Sequence, residues 1–252
     1  MKIITVDAKK YIKASKYILS FVGFLLVLSL SLQISSIIFS NKALYLEEVN
    51  AITEKKTVII DAGHGGEDCG AIGQNGAYEK DLNLAVAFTL GEMLTEKGYA
   101  VIYTRTEDKL LYTDEENIKG IRKISDLKNR CKVAKEYPDS VFISIHMNSF
   151  TDPKYSGTHV YYSQKNEDSR LLASKVQSSV KETLQKDNNR VIKPGKSMYV
   201  LENIDNTAIL IECGFLSNPE ECGKLSEKEY QKKLCFSIMC AMIEYIENKN
   251  SV

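Results

Sequence analysis

Four residues could together do hydrolytic chemistry: His64, Glu79, His146 and Glu212. His64 sits in the loop DAGHGGEDCGAIGQNG, just after the apolar run Val58-Ile59-Ile60, and Glu79 closes that loop where a helical pattern starts. His146 ends the run VFISIHMN and Glu212 ends AILIECG. Two histidines and one glutamate are a set that holds a zinc ion and leaves one position open for water. Non-haem iron uses the same ligand types, so the set alone does not choose the metal. A carboxylate at the end of an apolar run, as at Glu212, needs a reason to be there. Phosphate binding, the other use of a glycine loop, is disfavoured because GHGGEDCG carries neither the P-loop Lys-Ser/Thr nor G-x-G-x-x-G.

Residues this far apart can meet only if the elements bring them together. Strand ends of one parallel sheet lie side by side, and α/β proteins place reactive groups there. The apolar runs 58–61, 99–104, 141–145, 158–162, 198–201 and 208–211 read as strands. Between them, 3–4 spacing predicts helices over 79–97, ended by Gly98 as a left-handed cap, over 126–136, and from Leu172 to Leu184. Ser226 with Glu229 reads as a capping box opening a last helix. The alternation implies a twisted, mostly parallel α/β sheet with helices on both faces.

The blocks DAGHGG…EKDLNL, SIHMN and IECGFLSNPEE, in this order between about residues 56 and 248, resemble the zinc-dependent N-acetylmuramoyl-L-alanine amidases of bacterial cell walls. The resemblance implies one Zn²⁺ per chain on His64, Glu79 and His146, with Glu212 catalytic rather than metal-bound. It also implies peptidoglycan as substrate. Asn148 and Arg105 are candidate substrate contacts, and His159 reads as structural. The small single-domain members that it most resembles act on the spore cortex, in the step before muramic-lactam formation. The alternatives are a cell-separation amidase or a non-catalytic wall-binding relative. Glu202 stands where relatives often carry a cation, and Thr207 where a proline often precedes the strand. The segment 149–157 is too short for the blocking helix that some relatives insert there. With no such plug and no wall-binding repeat, control is expected from an accessory protein or from timing.

The remaining features bound the setting. The chain has 252 residues, 44% hydrophobic and 26% charged, with no net charge; such a balance gives no support for nucleic-acid binding. Residues 1–16 carry five lysines against Asp7, and residues 17–40 carry no charge. About 20 apolar residues span a bilayer. This run is therefore expected to be a transmembrane anchor with its basic end in the cytoplasm, rather than a shorter cleaved signal. Residues 41–56 read as a stalk and 57–250 as the catalytic domain outside the cytoplasm. The six cysteines form no C-x-x-C pair; Cys131, Cys235 and Cys240 read as small core residues.

Overall fold

The computed structural model describes residues 57–250 and, before them, only helical positions between 22 and 39. The chain divides into two compact units, residues 1–54 and 55–252. The expected basic terminus and stalk lie outside the described residues, as does much of the expected anchor. No helix among the described residues is long and apolar enough to cross a membrane.

The second unit is built on one six-stranded sheet. Its strands are β1 (Thr57–Ala62), β2 (Ala100–Tyr103), β3 (Val141–Asn148), β4 (His159–Tyr162), β5 (Lys193–Pro194) and β6 (Thr207–Phe215). The order is β2-β1-β3-β6-β4-β5. All pairs are parallel except β4 with β6, which run antiparallel. The helices are α1 (Glu79–Glu96), α2 (Arg122–Glu136), α3 (Asp168–Thr183), α4 (Tyr199–Asn203), α5 (Pro219–Ser226) and α6 (Lys228–Asn250).

Side chains alternate across each strand, and both faces are covered. Val58, Ile60, Ile143, Ile145, Ile209 and Ile211 face a large core shared with α1, α3 and α6. Ile59, Phe142, Ala208 and Leu210 face a smaller one beneath α2 and α4. The central strands are buried on both sides and so read as continuous apolar runs. Gly98, at φ 81°, ends α1 as expected. Its N–H donates to Thr95 O and that of Tyr99 to Leu94 O, the paired closure that needs a left-handed residue.

Three expectations are corrected. Residues 198–201 are not a strand: α4 winds one helical turn there, burying Val200 and Leu201 with Ile204 in the smaller core. A four-residue apolar run carries too few positions to separate the two periods. Ser226 does not cap α6; its hydroxyl donates back to Cys222 O at 2.8 Å, so it belongs to the last turn of α5. Helix α5 itself is capped by Asn218, whose side chain accepts from Glu221 N at 3.0 Å, with Pro219 following. Cys240 is exposed on α6 rather than in the core.

Candidate active site

Strands β1, β3 and β6 are neighbours, so their carboxyl ends bring His64, His146 and Glu212 together. His146 is directly opposite Glu212 in register, which puts both side chains on the smaller-core face. Glu79 enters from the first turn of α1, where the helix dipole favours an anion. Its Oε1 lies 3.1 Å from His64 Nε2 and 3.0 Å from His146 Nδ1. The same oxygen accepts from Met147 N at 3.1 Å, and Oε2 accepts from Ala71 N at 2.8 Å. One donor atom from each of His64, Glu79 and His146 lies within 4.8 Å of the others.

The backbone is arranged to keep this space open. A Cβ on Gly63 would run into the His146 imidazole, and one on Gly70 would meet Glu79 and His64. His64 itself adopts φ 62°, a strained conformation for a residue with a side chain. Two buried arginines hold it there. Arg130 donates to Ala62 O at 2.8 Å and His64 O at 2.9 Å. Arg105 donates to Ala62 O at 2.9 Å, Gly63 O at 3.1 Å and Lys80 O at 2.7 Å. Two nitrogens and one carboxylate oxygen around a cradle kept clear by glycines fit a divalent metal of zinc's preferences.

Arg105 is therefore not a substrate contact. It is 2% exposed, and its guanidinium is spent on backbone carbonyls, including Glu107 O at 3.0 Å. Asn148 is half-buried just beyond His146, after a break in the β3–β6 register, and does not line the cleft in front of Glu212. His159 is buried with Nε2 on Val191 O at 2.9 Å, a structural role. Glu202 accepts from Ser197 N at 2.9 Å and restrains the loop before α4.

The electrostatics separate the two carboxylates. Burial alone would raise Glu79, but His146 and His64 outweigh it and hold the carboxyl well below its ordinary range. Burial opposes charge on His64 too, yet Asp68 and Glu79 lift it to about 9 in the metal-free protein. Glu212 goes the other way. Its Oε2 is out of solvent with no hydrogen-bond partner, and burial pushes the carboxyl up to about 7. A group that can hold or release a proton near neutral pH is suited to acid–base work.

Sequence reasoning missed Asp68. Its Oδ2 lies 2.9 Å from His64 Nδ1, off the line of a good hydrogen bond, and 3.1 Å from Lys123 Nζ. A carboxylate four residues after a loop histidine was the available signal. Asp68, Lys123, Met198 and Tyr199 line a cleft of about 300 Å³ that also reaches His64, His146 and Glu212.

A ligand cluster open to a cleft on one side, with a proton-holding carboxylate across from it, is the geometry of a hydrolase. Residues 58–244 match the N-acetylmuramoyl-L-alanine amidase family, and the chain belongs to that family of enzymes. It is 34% identical over 194 residues to the germination-specific N-acetylmuramoyl-L-alanine amidase of Bacillus subtilis (strain 168), covering 77% of this chain and 81% of that protein. It is similar to the CwlD amidase from Clostridioides difficile, solved in complex with the GerS lipoprotein. There the TM-score is 0.73 at 38% identity, over 77% of this chain and 99% of that one. A second N-acetylmuramoyl-L-alanine amidase structure, from Clostridium difficile 630, matches with TM-score 0.68 at 33% identity, over 77% and 98% of the two chains.

Proposed function

We propose that the chain is a zinc-dependent amidase of the spore cortex, which removes the peptide from selected muramic acid residues before lactam formation. The observation that carries the reading is the meeting of His64, Glu79 and His146 within 4.8 Å, beside a Glu212 whose carboxyl burial raises to about 7, so that it can take up and give back a proton near neutral pH. One zinc ion per chain on those three residues would polarise the scissile carbonyl and acidify a water. Glu212 takes the proton of the attacking water and returns it to the amine nitrogen of L-alanine as the amide bond breaks. Asp68 faces the far nitrogen of His64 and fixes its ring orientation, as outer carboxylates do for histidine ligands. Asn148, two residues beyond His146 though outside the cleft that Glu212 lines, is kept as a candidate substrate contact.

Support for the spore role comes from similarity to a germination-specific amidase and to CwlD. The latter is solved with a lipoprotein, and on that ground an accessory protein docking on this domain is part of the proposal. Residues 17–40 are proposed to anchor the domain to the membrane, with residues 42–252 outside the cytoplasm. Deleting the gene tests the role. Growing cells should separate normally, while spores should lack muramic lactam and germinate poorly. Chained cells with normal cortex lactam would instead assign the enzyme to cell separation.

A further inference from the structure

A second cavity, of about 480 Å³, opens between the segment 154–157, the loop 184–190 and the start of α5. Its distinguishing feature is Arg190. The guanidinium lies 4.4 Å from the Phe215 ring centroid and 5.8 Å from that of Tyr155, and its Nε donates to Ser156 O at 2.8 Å. Its two terminal nitrogens have no partner among the described residues. Stacking and one backbone bond thus fix the plane of the fork while leaving its bidentate edge unused. That edge is the one that recognises a carboxylate.

The supporting wall is rigid. Glu221 is buried and accepts from Gly157 N and Phe215 N, both at 2.7 Å. It thereby ties the segment that orients Arg190 to the end of β6. Asn188 donates to Thr158 O at 2.8 Å. The other charges mostly cancel: Lys154 pairs with Asp152 and Lys224 with Glu220. Glu221 is spent on the backbone, and Lys186 offsets Asp187.

Arg190 also lies on a defined side of the catalytic carboxylate. Glu212 pairs across the sheet with His159, and the His159 ring bonds Val191 O, next to Arg190 in the chain. Burial and Glu212 push the Tyr161 phenol up while Arg190 draws it down, so both charges are felt by one ring. The Phe215 ring that the guanidinium covers lies three residues beyond Glu212 on β6, roughly 10 Å along a strand, the length of about three residues of extended peptide.

We infer that Arg190 is a specificity-determining residue that binds a side-chain carboxylate on the second or third residue of the peptide leaving the scissile amide. The inference rests on the amidase activity and adds a substrate requirement to it. The test compares kcat/KM of the full chain on two muramoyl-peptides, one with free side-chain carboxylates and one with them amidated. The wild type should prefer the acidic substrate by roughly tenfold or more, as expected for a hydrogen-bonded charge. Arg190→Gln should bring that ratio close to one, and Arg190→Lys should restore part of it. A merely structural Arg190 would lower both rates together and leave the ratio intact, which overturns the inference, as does a wild type that cleaves both equally. A wild type that cleaves neither removes the amidase reading itself, and the inference with it.

Discussion

At the scale of single residues, the site depends on a carboxylate kept in an unfavourable place. Glu212 has a folded value of about 7 against an ordinary 4.5 because burial disfavours its charge. The metal-free folded protein therefore holds this proton more tightly than the unfolded chain. The stability it contributes is fully present below about pH 4.5 and is lost as pH rises through about 7. Glu212→Gln removes that loss. Melting followed in chelator should show the variant more stable than wild type at pH 8, by up to about 3 kcal/mol, with the gap closing near pH 5. A gap independent of pH would contradict the assignment. With metal present, the same variant should keep its zinc and lose turnover by at least ~10². Gly63 is the complementary case. Any Cβ there meets the His146 ring, so Gly63→Ala should weaken zinc binding, measured by chelator competition, although alanine is otherwise a mild change.

At the scale of elements, β1 and α2 are joined through charge. Arg130, 2% exposed as a side chain, reaches Asp61 at 2.5 Å and Asp126 at 2.8 Å, while Ser144 and Thr104 donate to Asp61. Burial would raise Asp61, but Arg130 and the two hydroxyls overturn it and hold the carboxyl below 3.8. Its contribution is present above about pH 3.8 and fades as pH falls through the lower folded value. Arg130→Ala leaves two buried carboxylates unpaired and should cost about 3–5 kcal/mol in urea unfolding at pH 7. A loss under 1 kcal/mol would show that the clamp is dispensable. This network marks the limit of what the sequence makes legible. The ends of β1, β3 and β6 were readable because apolar runs stop at His64, His146 and Glu212. The role of Arg105 was not, because three of the four carbonyls it holds, those of Ala62, Gly63 and Lys80, lie 25 to 43 residues away in the sequence. Helix α5 did leave a local signal, Asn218 followed by Pro219 and two acids, the pattern of a capped start.

At the scale of the molecule, the catalytic unit has its own core and the charge-free run precedes it, so tether and chemistry should separate. Deleting residues 1–40 should release the protein from the membrane fraction while leaving amidase activity on isolated wall. Loss of activity together with release would mean that the N-terminal segment contributes to the site. The central claim is that His64, Glu79, His146 and Glu212 form one metal-dependent amidase centre. Mass spectrometry of peptidoglycan digested by the full chain, with zinc loaded or stripped, tests it most directly. The account predicts intact stem peptides beginning at L-alanine and muramic acid without peptide, both disappearing on chelation and returning with zinc. Undiminished release from rigorously stripped protein, or cleavage at any other bond, would contradict it.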